Sequence, residues 1–522
     1  MNMNKIKSLL LVLPVLIAGC KSSEPVSEVK TTESKTVLQA DDFKHYVDYF
    51  NRMEKENIAK AVPNDSAWSW MKTNIPLFEC PQDNFEEMYY FRWWSLRKHI
   101  TDTPVGYAIT EFLVDRSYAD KYNLIACALG HHIYEFRWAH DPKYIEQNVH
   151  VWYRGNEGKP MGKLHKFSSW TADALYNMYL VNKDEYYLLD MYPDMVADYA
   201  AWENERQNPN GLFWQHDVKD GMEESLSGGR RVQNMRPTIN SYMYANAKAL
   251  STMARMKGDS EQSVYFDKKA KTLKGLVETK LWNTDHEFFE TLTEKDTSSQ
   301  VREAIGFIPW YFNLPSENKG FEVAWEQVKD EGGFLAPYGL TTAERRHPRF
   351  RTHGTGTCEW DGAVWPFASA QTLTAMANLL NNYNQEVVGK VDYFTQMNLY
   401  VESQYHRGRP YIGEYLDEVT GYWLMGDRER SYYYNHSTFN DLMITGLVGL
   451  RPRADEKIEV NPLIPQDKWD WFCLDNVLYH GDIITILWDK TGEKYHKGQG
   501  LRVFRNGKEV ASSSKLEKVI SE

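Results

Sequence analysis

Ser241-Tyr242-Met243-Tyr244-Ala245-Asn246-Ala247-Lys248-Ala249-Leu250 continues to Arg255 with apolar or small residues at helical spacing, then stops at Gly258. The next stretch, Ser260 to Val277, puts Phe266, Ala270, Leu273 and Leu276 on one face and lysines on the other. Two such runs joined by a short Gly258-Asp259 turn make an αα-hairpin. Similar pairs can be drawn over Asp173 to Trp202, Gly362 to Asn381 and Val388 to Tyr405. Each unit spans roughly 40 to 60 residues, the scale on which supersecondary units stack and bury one another's faces. No strict sequence repeat accompanies them, so a ring of hairpins is argued from helix pairing. The pattern is helical almost throughout from Asp41 to about Leu450.

Beyond Pro452 the character changes. Lys457-Ile458-Glu459-Val460 alternates, Gly481 to Trp488 is rich in β-branched residues, and Val503 to Val510 carries an Asn506-Gly507 hairpin signal. Residues 453–522 are therefore expected to form a small β module behind a mainly α catalytic body at 41–452.

At the other end, Lys5 and Lys7 precede an apolar run from Ser8 to Gly19 that closes on Leu16-Ile17-Ala18-Gly19-Cys20. The run is short for a membrane span and ends in small residues. It resembles a bacterial lipoprotein signal, which implies cleavage after residue 19, acylation of Cys20 and membrane attachment outside the cytoplasm. Lys21 after the cysteine is compatible with sorting to an outer membrane. Residues 20–40 are polar and aperiodic and read as a flexible tether.

Composition narrows the function. The formal net charge is -12 with both signs mixed along the chain, and no basic stripe of the kind nucleic acid demands is evident in the sequence. Cys80, Cys127, Cys358 and Cys473 form no C-x-x-C pair, and no metal or other cofactor is expected. The 18 Trp, 33 Tyr and 22 Phe make up 14% of the chain; aromatic faces stack on the C–H faces of sugars, although a large core also uses them.

Cofactor-free cleavage of a glycosidic bond needs two carboxyl groups on opposite sides of it. Four segments set acids or histidine among glycines, aromatics and amides. They are Asp220-Gly221-Met222-Glu223-Glu224-Ser225 with Arg236, Asn240 and Tyr242 following; Glu359-Trp360-Asp361-Gly362-Ala363-Val364-Trp365-Pro366; Gly413-Glu414-Tyr415 with Thr420-Gly421; and Tyr434-Asn435-His436-Ser437. Adjacent His131 and His132 have no partner at i+4 and read as structural. Arg92 and Arg137, set among aromatics, could grip a uronate or sulfate or stack in the core.

With these motifs, over roughly residues 85–465, the chain resembles the inverting glycosidases of the trehalase, processing α-glucosidase and mannosylglycerate hydrolase group. The resemblance implies an (α/α)6 toroid. It places the general acid in the Gly221-Met222-Glu223-Glu224-Ser225 segment, where Glu223 stands for the group's Asp; Asp220 is the alternative acid. It places the general base at Glu414, although Tyr415 comes one position early for the group's pattern. Trp360, Asp361 and Trp365 would line the sugar pocket, with Arg236, Asn240, Tyr242, Tyr415 and His436 as further substrate contacts. The expected partner is an oligo- or polysaccharide.

Two rivals stand beside hydrolysis. Helical toroids also carry lyases that abstract the C5 proton of a uronate, as in a polysaccharide such as ulvan, and His436, His353 and Tyr432 to Tyr434 supply candidate bases. A non-catalytic glycan-binding lipoprotein needs the aromatics but not the facing acids.

Overall fold

The computed structural model describes residues 35–352 and 358–522; the expected signal, Cys20 and His353 lie outside them. Helices α1 (Lys44–Met53), α2 (Ala67–Asn74) and α3 (Asp83–Arg97) come first. The chain then alternates inner and outer helices: α4 (Leu129–Phe136) and α5 (Lys143–Arg154), α6 (Thr171–Asn182) and α7 (Glu185–Arg206), α8 (Pro237–Met256) and α9 (Ser260–Leu276). The short α10 (Ile308–Tyr311) is backed by the 3-10 segment Phe321–Val328, and α11 (Pro366–Asn382) by α12 (Lys390–Ser403). Last comes α13 (Asn440–Leu442), continued by the π-helical turn Met443–Leu447.

Inner helices touch in sequence: α4 with α6, α6 with α8, α8 with α10, α10 with α11, α11 with α13, and α13 with α4. Six inner staves thus close a ring. The last stave has no helix after it, and α3 packs there instead, against α13 and α12. This is the expected (α/α)6 toroid, closed by an element from the beginning of the chain.

The α8–α9 hairpin shows why the sequence folds this way. Pro237 occupies the first turn of α8, where its missing N–H costs nothing. The chain turns at Gly258 with φ +81°, a conformation glycine adopts without a Cβ penalty. The Asp259 side chain then accepts from the Gln262 N–H at 3.0 Å and caps α9. Phe266, Ala270 and Leu273 are buried as their spacing requires, and Leu276 is half-buried.

The β module is a five-stranded antiparallel sheet in the order Leu77–Glu79, Trp471–Tyr479, Asp482–Asp489, Gly500–Arg505, Lys508–Ser513. Asn506 and Gly507 both have positive φ (50° and 81°) and join Arg505 to Lys508, the two-residue hairpin turn their sequence signals.

Three features depart from the sequence reading. The body is less continuously helical than its pattern, with two-stranded hairpins at 100–109, 282–289, 335–340 and 405–410 and long loops between helices. The first strand of the sheet, Leu77–Glu79, comes from the helical part of the chain and pairs with Cys473 to Asp475. The polar stretch read as a tether is docked by its end: the Val37 and Leu38 N–H groups donate to Asp475 at 2.5 and 2.7 Å, and Leu38 is buried. Among the described residues no helix is long and apolar enough to cross a membrane.

Candidate active site

The loops that enter the inner helices at their amino ends converge on a cleft of about 290 Å³. Cys127 precedes α4, Phe167 precedes α6, Glu223 precedes α8, Trp360 and Trp365 precede α11, and Glu414, Tyr434 and His436 precede α13. Among the described residues three carboxyl side chains line it: Glu111, Glu223 and Glu414.

Glu223 follows Gly221, whose φ is +78°; a Cβ there would come within 2.9 Å of the Cys127 sulfur. The loop can therefore press against the segment that leads into α4 only with glycine at this position. Glu223 Oε2 accepts from the Trp360 indole N–H at 3.2 Å. Trp360 in turn stacks on Trp365 (centroids 4.3 Å), Trp365 stacks on Phe367 (4.5 Å), and Tyr415 meets Trp360 edge-on at 5.0 Å. Burial raises the Glu223 carboxyl above its usual range, against the Trp360 hydrogen bond and the Arg230 charge.

Glu414 Oε2 pairs with Arg430 at 2.8 Å. Burial pushes its carboxyl up to about 7; Arg430 pulls it down and the Glu223 charge raises it further. His436 donates from Nε2 to the Glu414 carbonyl oxygen at 3.3 Å, and burial keeps its imidazole neutral.

Glu111 is the functional candidate the sequence reading missed. Burial lifts it to about 8, with Glu414 and Glu223 adding to the shift against a 2.6 Å hydrogen bond from the Tyr434 hydroxyl. Its signal in the sequence is a lone acid inside Ile109-Thr110-Glu111-Phe112-Leu113, a position where an unpaired carboxylate is costly. Lys166, Lys219 and Arg430 were missed too and supply positive charge to the same cleft.

Asp220 does not join the cleft lining. Its Oδ2 lies 2.8 Å from Arg236 Nε and also takes the Thr238 hydroxyl, and both members of the ion pair are buried. Arg236, Asn240 and Tyr242 are likewise inside the wall rather than on its face. Asn240 exchanges two 2.8 Å hydrogen bonds with the Phe213 backbone, and the Tyr242 hydroxyl accepts from Gln371 at 2.7 Å. Asp361 is fully buried, its carbonyl taking the Arg351 N–H at 3.1 Å. Tyr415 stands behind the cleft lining, in edge-on contact with Trp360. Arg92 is held by Gln404 and Ser437 behind the cleft lining, its charge still acting on His436, and Arg137 pairs with Asp441. His131 and His132 are buried in α4, as a structural reading requires. Among the described residues no group of three or more His, Cys, Asp or Glu side chains is disposed to hold a metal.

A larger pit of about 420 Å³ opens towards the carboxyl ends of the same staves. Arg137 pairs with Asp441 and Arg453 with Glu459 there, while Lys248 and Arg451 line it without an ion pair among the described residues. The cleft differs in kind: like-charged carboxyls crowd together there, their proton affinities raised, beside stacked indoles. Such a set can give and take protons next to a bound sugar ring.

A family model described as the mannosylglycerate hydrolase MGH1-like glycoside hydrolase domain matches residues 121–437, and the glycosyl hydrolase family 65 C-terminal domain matches residues 450–512. Among solved structures, a chain titled Sialidase is 65% identical with a TM-score of 0.93, covering 94% of this chain and 46% of its own length. This chain thus spans about half of that one. The GH63 mannosylglycerate hydrolase from Thermus thermophilus, in complex with glucose, shares the fold at 12% identity and a TM-score of 0.51, over 68% of this chain and 99% of its own. An uncharacterized protein of Borreliella burgdorferi is 24% identical over 197 residues, 38% of this chain and 40% of the relative. The chain belongs to the MGH1-like glycoside hydrolase family.

Proposed function

We propose that the protein hydrolyses a glycosidic bond with inversion, using Glu223 as general acid and Glu414 as general base. The observation that carries this reading is the convergence of these two carboxyls on one aromatic-walled cleft. A general acid must hold its proton near neutral pH, and burial favours that for Glu223. The Trp360 N–H engages Oε2, and in this reading Oε1 delivers the proton to the leaving oxygen. A general base must be ionised when substrate arrives, and Arg430 favours the Glu414 carboxylate against its burial. Water held between Glu414 and the anomeric carbon then loses its proton to Glu414 as the bond breaks, and inversion requires a carboxyl separation of about 6.5–9.5 Å. Trp360 and Trp365 supply faces for a sugar ring. Asp220, committed to Arg236, is the weaker candidate for the acid.

The test is turnover of a panel of neutral, uronate-containing and sialic acid-containing oligosaccharides, sialosides being included because of the name carried by the longer similar chain. New reducing ends of inverted anomeric configuration, lost in E223Q and E414Q, are expected. Products absorbing in the ultraviolet as unsaturated uronates would replace hydrolysis with elimination, and binding without turnover would leave a glycan-binding protein. We also propose export and acylation at Cys20; labelled palmitate should enter the wild-type protein in cells and not C20A.

A further inference from the structure

One wall of the cleft carries positive charge that no direct ion pair among the described residues neutralises. Lys166 and Lys219 line the cleft. The Lys166 ammonium donates to the Tyr118 carbonyl at 2.7 Å, and the Lys163 ammonium reaches the same carbonyl at 3.2 Å and that of Ala119 at 2.5 Å. Two ammonium groups thus share one backbone oxygen. The Arg206 guanidinium lies over the Trp214 ring at 4.4 Å, with its charge acting on Lys219. Among the described residues none of the four forms an ion pair.

The hydrogen bonds of the acids nearby go to other groups. Asp120 takes the backbone N–H groups of Lys121 and Lys163, while Asp198 and Glu205 both face His165. Burial together with Lys219 and Lys163 holds the Lys166 ammonium below its usual range, and burial together with Arg206 does the same for Lys219. Asp120 and Glu223 act on Lys166, Glu223 on Lys219 and Glu205 on Arg206 without closing an ion pair, so the mutual repulsion of the cations is only partly offset. On a chain of net charge -12 their field is local and attracts an anionic ligand.

We propose that Lys163, Lys166, Lys219 and Arg206 form a track leading out of the cleft that binds a glycan bearing more than one negative group, as carboxylates or sulfate esters. Lys219 and Lys166 both lie within electrostatic reach of Glu223. Under the reading of Glu223 as the acid, on which this inference rests, the track serves the leaving-group side of the scissile bond. A single carboxylate would occupy one or two of these cations. Four call for a chain whose acidic groups recur, so affinity should rise with length.

The test is direct binding by calorimetry to three tetrasaccharides: a hyaluronan fragment (carboxylates only), a chondroitin sulfate fragment (carboxylates and sulfates) and a neutral cello-oligosaccharide. The wild type should bind an anionic probe at least tenfold tighter than the neutral one, and added salt should weaken that binding. K163A/K166A/K219A should lose at least tenfold for the anionic probe and flatten its salt dependence, while K271A, on the outer face of α9, should not. Preference for the hyaluronan fragment assigns carboxylates; preference for the chondroitin fragment assigns sulfates. Equal affinity for all three probes, or a triple variant that binds like the wild type, overturns the track. E223Q is run in parallel: retained binding with lost turnover supports both ideas, and retained turnover sinks the assignment of the acid while the binding data judge the track on their own.

Discussion

Replacing Asp220 with asparagine strips the charge from one side of a buried pair while leaving its shape. Asp220 Oδ2 lies 2.8 Å from Arg236 Nε and also takes the Thr238 hydroxyl; Arg236 is 0% exposed, so the abandoned guanidinium cannot reach water. Breaking such a pair costs about 3–5 kcal/mol. Glu303 and Asp217, whose charges also act on Arg236, remain in place and favour the lower end, about 3 kcal/mol. With an unfolding entropy of roughly 2.1 cal/mol/K per residue over about 490 residues, this lowers Tm by about 3 °C. Calorimetry on D220N and E223Q, with kcat measured on any glycoside the panel turns over, should give opposite patterns. D220N should lose the stability and keep kcat within about threefold; E223Q should lose about 10³-fold in kcat, within the range for an acid–base group, with Tm shifted by about 1 °C or less. A D220N protein with unchanged Tm and activity as low as that of E223Q would refute the division of roles between the two residues.

Arg430→Met removes the charge that holds Glu414 down to about 7 against its burial, so the base ionises only at higher pH and the acid limb of kcat/KM should move up by about one unit. Trp360→Phe keeps an aromatic ring beside Trp365 but deletes the hydrogen bond to Glu223; kcat should fall about tenfold, as for one charge-assisted bond, with little change in unfolding temperature. Glu111 holds its proton up to about 8 in the folded protein against an ordinary 4.5. Between those values the folded state binds more protons than the unfolded chain, so this residue makes stability fall as pH rises through the window. E111Q should therefore gain on the wild type in thermal unfolding from about pH 4.5 to 8 and hold that advantage above it.

The parts of the fold that could be read from sequence are those set by local chemistry. Gly258-Asp259 and Asn506-Gly507 fix their turns through backbone preferences that neighbours hardly alter. The apolar stripe of α9 faces inward as its spacing requires. The inner helices are different: α8 and α11 are buried on nearly every side, so the position of a polar residue says little about which surface it meets. Arg236, Asn240 and Tyr242 therefore looked like ligands of a sugar and proved to brace the wall. Glu111 and Lys166 reach the cleft only because distant loops converge there; nothing in their own neighbourhoods encodes that meeting. Leu77–Glu79 is too short for its alternation to be recognised, and its pairing is decided by the partner strand.

That pairing imposes an order of assembly on the chain. Leu77 lies opposite Asp475 and Glu79 opposite Cys473, so the partner strand leaves the ribosome roughly 400 residues later, about 20 seconds or more at ordinary elongation rates. Bringing such ends together costs about 5 kcal/mol in loop-closure entropy, and pairings this remote form slowly. The hairpins of the ring can form as they emerge, but α3 cannot take its place against α12 and α13 until those helices exist. The toroid is thus finished like a bracelet, by fastening an early link to a late one, and a nascent chain stalled before residue 440 should remain open and sensitive to protease around residues 77–97.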